Sequence, residues 1–418
     1  MAFKLVYFIF LIVSLFYPTT MLFGPLSIRH ILSIIVLTMC VHEDGLKFDK
    51  FIKWYFGFLF FYTLIEVLTG YSSFIFSKLL GTYLASISLY LATKIMVEKY
   101  ETGTLIIYTL VVLGLLNAIE VIGQFFRSPI AQALPQLLHI HINEEELAQY
   151  ENNNLSGYSI GGLMGAVTSG YFLSATSILA LYSKKEKITV TNWIIFAIIF
   201  FALFLVQERS GLFSGLLCAS IFYVLFSFHN QKALFGSVFV FLFAAIIIIR
   251  YLSSHISYEE MRYAAIGLDD NRRVSIALDA IKWIIQYPAG GASYYFKMGG
   301  HYPHNVFINA FLYGGIIGGS ILIGILLSQL YKIERVLLSY FQKDSYSSLL
   351  LACSIAYLCY TFNSFFHNYS LVFGGETIFL LWAMIGSLKD MEDNPFEDIN
   401  LEEEEKEEEE EEKMPING

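Results

Sequence analysis

Apolar residues fall along this chain in long runs joined by short polar connectors, not in the brief alternating stretches of a half-buried sheet. The runs are Phe3 to Tyr17, Ile28 to Val41, Phe51 to Gly70, Phe74 to Ala92, Leu105 to Gly123, Gly161 to Tyr182, Trp193 to Val206, Gly211 to Phe228, Leu234 to Leu252, Asn305 to Tyr331, Ser347 to Phe366 and Ser370 to Leu388. A helix of about 20 apolar residues crosses a bilayer, and the shorter runs need flanking residues or tilt to do so. The pattern predicts an all-α polytopic membrane protein with about twelve transmembrane helices over residues 1–389. Residues 124–159 and 253–303 are long enough to form external loops. Within the second, Val274 to Tyr287 reads as an amphipathic helix lying in the interface, with Ile276, Ile281, Trp283, Ile284 and Ile285 apolar and Asp279 and Lys282 charged.

Composition agrees. The chain is 56% hydrophobic and 15% charged, which excludes an ordinary soluble domain of this length. Much of the net charge of −10 comes from the run Glu402 to Glu412, broken only by Lys406. Residues 390–418 therefore read as a solvated, disordered cytoplasmic tail without chemistry. The rest is close to balanced, and no nucleic-acid partner is implied. Cys40, Cys218, Cys353 and Cys359 lie in or beside apolar runs, and read as small buried residues and not as disulfides. Lys4 and the run to Phe16 resemble a signal peptide, but Y-P-T-T follows where a small-x-small cleavage site belongs. A retained first helix is expected.

Basic residues set the orientation. With the N-terminus inside, the cytoplasmic connectors hold Lys47, Lys50, Lys53, Lys94, Lys99, Lys184, Lys185, Lys187, Lys232, Lys332, Arg335, Lys343 and Lys389; Lys78, Lys282 and Lys297 fall outside. The arginines do the reverse: Arg29, Arg127, Arg209, Arg250, Arg262, Arg272 and Arg273 are external. A planar guanidinium suits bidentate binding of phosphate or carboxylate, so this asymmetry points to an anionic ligand outside. The alternative is anchoring to headgroups or pairing with acids such as Glu208 and Asp270. Glu66, Glu120, Glu208 and Glu376 also lie toward outer helix ends, which favours an outward-opening site over a transmembrane proton path.

His304 sits where a polar loop enters the membrane, a position suited to a general base, and Asn305 is suited to capping the helix that follows. A boundary histidine that only caps or snorkels is the ordinary alternative. Gly314 with Gly318, and Gly315 with Gly319, form overlapping small-xxx-small pairs that let a neighbouring helix approach closely. His139 and His141, two apart, carry no accompanying cysteine or third histidine and read as a surface pair.

H-N followed by nine residues and G-x-x-G-G (His304, Asn305, Gly315, Gly318, Gly319) resembles the signature of bacterial O-antigen ligases, a group shared with O-antigen and exopolysaccharide polymerases. R-S-G at Arg209, and R-V-S-I-A-L-D-A-I with Y-P-A-G-G from Arg273 to Gly291, are similar to the group's arginine, amphipathic-helix and proline-glycine elements; Ala277 stands where a tryptophan is common. The resemblance implies a metal-independent, cofactor-free inverting glycosyltransferase of the GT-C kind at the periplasmic face of the bacterial inner membrane. Its donor would be a glycan on undecaprenyl diphosphate and its acceptor a sugar hydroxyl of lipid A-core. In that scheme His304 deprotonates the acceptor, Arg209 and Arg273 hold the diphosphate with Arg272 as helper, and Asn305 orients the helix start or the acceptor. A polymerase with a lipid-linked glycan acceptor is the nearest alternative; a flippase or transporter would need polar groups across the midplane.

Overall fold

The computed structural model describes residues 2–16, 21–23, 26–45, 47–70, 82–131, 162–164, 166–183, 188–206, 209–227, 270–341, 347–365, 372 and 375–393. Within them the chain is helical: α1 (Ala2–Phe16), α2 (Ile28–Asp44), α3 (Lys50–Leu68), α4 (Leu84–Glu98), α5 (Gly103–Phe125), α6 (Ala166–Ala180), α7 (Val190–Val206), α8 (Arg209–Ser227), α9 (Asp270–Gln286), α10 (Ala292–Lys297), α11 (Val306–Phe341), α12 (Ser348–Ser364) and α13 (Glu376–Asp393). A short antiparallel pair, β1 (Met21–Phe23) with β2 (Leu26–Ser27), precedes α2.

α3, α5 and α11 are long and apolar enough to cross a membrane, and five shorter apolar helices accompany them. The helical membrane architecture is thus present, with three of the expected crossings meeting both length and apolarity among the described residues. The run Leu234 to Leu252, His139 and His141, and residues 394–418 lie outside those residues. Residues 390–393, expected in the tail, continue α13. α4 runs to Glu98, past the expected end at Ala92.

α11 packs along α3, α13 along α4, and α6 lies among α5, α7, α8 and α12. Side-chain pairs sort the helix ends into two groups. At one end Asp49 caps α3 by accepting from the Ile52 amide (3.0 Å), accepts from Lys94 (3.2 Å) and from the Tyr90 hydroxyl, while Lys99 donates to Glu43 (2.6 Å). Lys332 stands over the Trp382 ring at the same end. At the other end Arg29 pairs with Glu376, Tyr83 donates to the Val372 carbonyl, and Gln124 and Asn117 bind the backbone of Gly162 and Leu163. Among the described residues, Lys94, Lys99 and Lys332 thus lie at one end, and Arg29 with Glu376 at the other.

The four cysteines are free and buried. Arg29, one of the seven arginines expected outside, takes the alternative of pairing with an acid: it is buried against Glu376. A guanidinium at that depth needs an opposite charge within reach, and this one is engaged in holding α2 to α13.

Glu43 lies beyond the apolar part of α2. Hydrogen bonds from Lys99 and then Tyr100 hold its carboxyl below the usual carboxylate range. A depressed pKa stabilises the fold above the unfolded value and loses that contribution as pH falls through the folded one. The gap in thermal midpoint between the protein and its Glu43→Gln variant should therefore be present near neutrality and close as pH drops below about 4. Melting curves at several pH values check this, and a gap independent of pH contradicts it.

Candidate active site

Asn305 starts α11 as expected. Its Oδ1 accepts from the Phe307 amide (2.9 Å) and the Ile308 amide (3.2 Å), satisfying donors that have no partner inside the helix. Its Nδ2 donates to the Phe365 carbonyl at 3.2 Å, tying the helix start to the end of α12. His304 precedes it with φ of 46°, a left-handed conformation unusual for a residue with a Cβ. The ring is half-buried, with Nδ1 shielded from solvent, and Pro303 before it is buried. The backbone thus turns sharply at His304 and enters α11 capped.

α11 is not one continuous span. Its 36 residues would extend about 54 Å if straight, well beyond a hydrocarbon core of about 30 Å. Gly315 breaks it, with φ 62° and ψ −168°, a region that glycine alone occupies freely. Residues 306–314 form a short outer piece, and 316–341, about 39 Å long, suffice to cross.

A broken helix frees a donor and an acceptor that hydrocarbon cannot satisfy. Both go to the turn Pro288–Gly291. The Ile316 amide donates to the Pro288 carbonyl (2.9 Å), and the Gly291 amide donates to the Leu312 carbonyl (3.1 Å), which Ile316 would have served in an intact helix. The approach leaves no room for side chains. A Cβ on Gly315 would lie 2.3 Å from the Ala289 carbonyl oxygen, and one on Gly290 would lie 2.7 Å from the Gly315 nitrogen.

The other glycines divide their work. Gly314 and Gly318 face Phe58 and Phe61 of α3, as close helix packing requires. Gly319, expected to pair with Gly315 against a neighbouring helix, instead admits Phe311 of its own outer piece, which folds back beyond the break. On the far side of the turn, the Ser293 amide donates to Glu66 Oε1 of α3 at 3.1 Å. Glu66 Oε2 and the Ser293 hydroxyl are buried there without a partner among the described residues. Glu66 and Glu376 thus join separate elements at this end, while Glu120 accepts from Gln124 within α5. Glu208 lies outside the described residues.

α9 carries Arg272 and Arg273 in its early turns and packs against α11. Arg209 opens α8, whose Gly211 meets the Gly170 backbone and which packs against α12. The backbone therefore brings Arg209 to the end of the bundle where Asn305 joins α12. The side chains of Arg209, Arg272 and Arg273 are outside the described residues, as are Arg250 and Arg262.

α9 is more than the interfacial helix expected. Ala280, Trp283 and Ile284 pack inward, while Val274, Leu278, Ile281 and Ile285 form a second, exposed apolar stripe on the opposite side. Trp283 stacks within a group of Tyr287, Tyr294 and Tyr295, at ring separations of 4.2, 5.5 and 5.5 Å. This cluster was not legible as a site. The nearest signal was the density of Trp and Tyr between residues 283 and 302. A separate cavity of about 610 Å3 lies between α8 and α11 toward the lysine-bearing end, lined by Leu217, Ile221, Leu330, Ile333 and Leu337. Its walls suit hydrocarbon, and it is remote from His304.

No protein-family model, curated protein or solved structure matches this chain.

Gly315→Ala should destabilise the protein by at least the about 1–3 kcal/mol of a forced backbone conformation, with the clash at Ala289 added. Gly324→Ala, in the same helix with nothing within 4 Å of its new methyl, should be neutral or mildly stabilising. Thermal unfolding in detergent distinguishes them, and equal effects contradict the assigned break.

Proposed function

We propose that this protein is an O-antigen ligase-type glycosyltransferase of the bacterial inner membrane, with about twelve crossings in a GT-C-like arrangement and its site on the periplasmic side. It moves a glycan from undecaprenyl diphosphate to a sugar hydroxyl of lipid A-core. The observation that supports this most is the union of two motif elements far apart in the chain: the Y-P-A-G-G turn supplies the hydrogen bonds that let α11 break at Gly315, eleven residues beyond His304. The same break leaves His304 on a short, doubly anchored piece that a positioned base requires.

The chemistry follows from the residue types. His304 takes the proton of the acceptor hydroxyl as its oxygen attacks the anomeric carbon. The bond from that carbon to the diphosphate oxygen breaks on the opposite face, so the centre inverts. Arg209 and Arg273, with Arg272 beside them, neutralise the departing diphosphate with charge-assisted hydrogen bonds.

His304→Ala should lower transfer by about 10²–10⁴-fold, the usual contribution of a general base. Arg273→Lys keeps the charge and loses the fork, and should also cause a large loss. Transfer from a lipid-linked donor by purified variants tests both, and full activity in either removes that residue from the mechanism. In a deletion strain, accumulation of long lipid-linked polymer indicates a ligase, whereas single capped repeats indicate a polymerase.

A further inference from the structure

A cavity of about 260 Å3 opens between α9 and the loop that follows α10, lined by Ile276, Asp279, Trp283, Tyr295, Met298, Gly299, Gly300 and His301. Three features of its walls narrow what fits. Trp283 and Tyr295 present aromatic surface. Asp279 supplies a carboxylate, paired with the exposed Lys282 at 3.4 Å. Among the described residues, neither lysine nor arginine lines the cavity.

The wall formed by Gly299 and Gly300 is held by contact. A Cβ on Gly300 would lie 2.4 Å from the Tyr295 ring, and the Tyr295 hydroxyl donates to the His301 carbonyl at 3.2 Å. The pocket is thus built by the segment that leads to His304, three residues on. Its volume falls just below that of sites for drug-sized ligands, about 300 Å3 and upward, and suits a single small ring.

We infer that this pocket is a saccharide subsite, binding one uncharged ring of the acceptor glycan beside the hydroxyl presented to His304. The C–H face of the ring lies on the aromatic surface, and Asp279 accepts from its hydroxyls. The assignment of this ring to the acceptor rests on the transferase reading; the saccharide chemistry of the pocket does not.

Saturation-transfer NMR on the full-length protein in nanodiscs, with free hexoses and N-acetylhexosamines as probes, tests it. Binding should weaken about tenfold in Trp283→Ala, which removes the aromatic wall, and about tenfold in Asp279→Asn. Gly324→Ala, away from the pocket, should bind as the parent does. Should Trp283→Ala fail to fold, Asp279→Asn decides, because that side chain is exposed. Absence of saccharide binding, binding in both pocket variants equal to the parent's, or preferential binding of inorganic phosphate overturns the subsite. Full glycan transfer by His304→Ala alongside weakened sugar binding by the pocket variants overturns the transferase assignment and leaves the subsite standing.

Discussion

The exchange of two backbone hydrogen bonds at Gly315 is the constraint on which the outer end of this protein depends. The Leu312 carbonyl and the Ile316 amide would bond to each other in an intact helix; here each bonds to the Pro288–Gly291 turn. A break without that exchange would leave an unsatisfied donor and acceptor in or near hydrocarbon, at a cost of several kcal/mol (about 2–7 for each polar group). The turn without the break would have no backbone groups to hold it. Neither element is stable alone in this form, so the external segment and α11 fold as one unit. Glycine at 290, 291 and 315 is required because both backbones approach closely and all three have positive φ.

From that junction the rest of the outer end can be traced. α3 supports it from beneath, with Phe58 and Phe61 under the glycines and Glu66 receiving the Ser293 amide beyond the turn. α12 supports it from the side through the Phe365 carbonyl and Asn305. His304 lies between these supports, in a strained left-handed conformation that the capped helix and buried Pro303 hold in place. Strain of this kind persists only where the surroundings determine it more than once, and it is common where geometry matters for chemistry.

The two ends of the bundle use charge differently. At the lysine end the pairs are partly exposed, as between Lys99 and Glu43, and each contributes little stability singly. At the opposite end Arg29 is buried and Glu376 half-buried, and removing one partner would strand the other's charge. The arginines therefore serve more than one role. Arg29 joins helices, while Arg209, Arg272 and Arg273 stand at the starts of α8 and α9, where a diphosphate is proposed to bind.

What the sequence by itself determined was local. Runs of apolar residues located most of the described helices, since hydropathy acts on each segment separately, but α4 begins ten residues after the start of its run and α11 continues ten residues past Tyr331. Asn305 was legible as a cap because the donors it serves are two and three residues away. Tertiary structure decided everything that needed a distant partner. Gly315 reads as one more small residue in a G-G-I-I-G-G run until the Pro288 turn docks on it and takes the helix's bonds. Arg29 could serve a ligand, a headgroup or an acid until Glu376, 347 residues away, is brought beside it. Trp283 and Asp279 read as two faces of an amphipathic helix until the Gly299–His301 segment closes a cavity over them. The physical reason is the same in each case: whether a polar or glycine position is satisfied, strained or exposed depends on the surface packed against it, and only the folded chain supplies that surface.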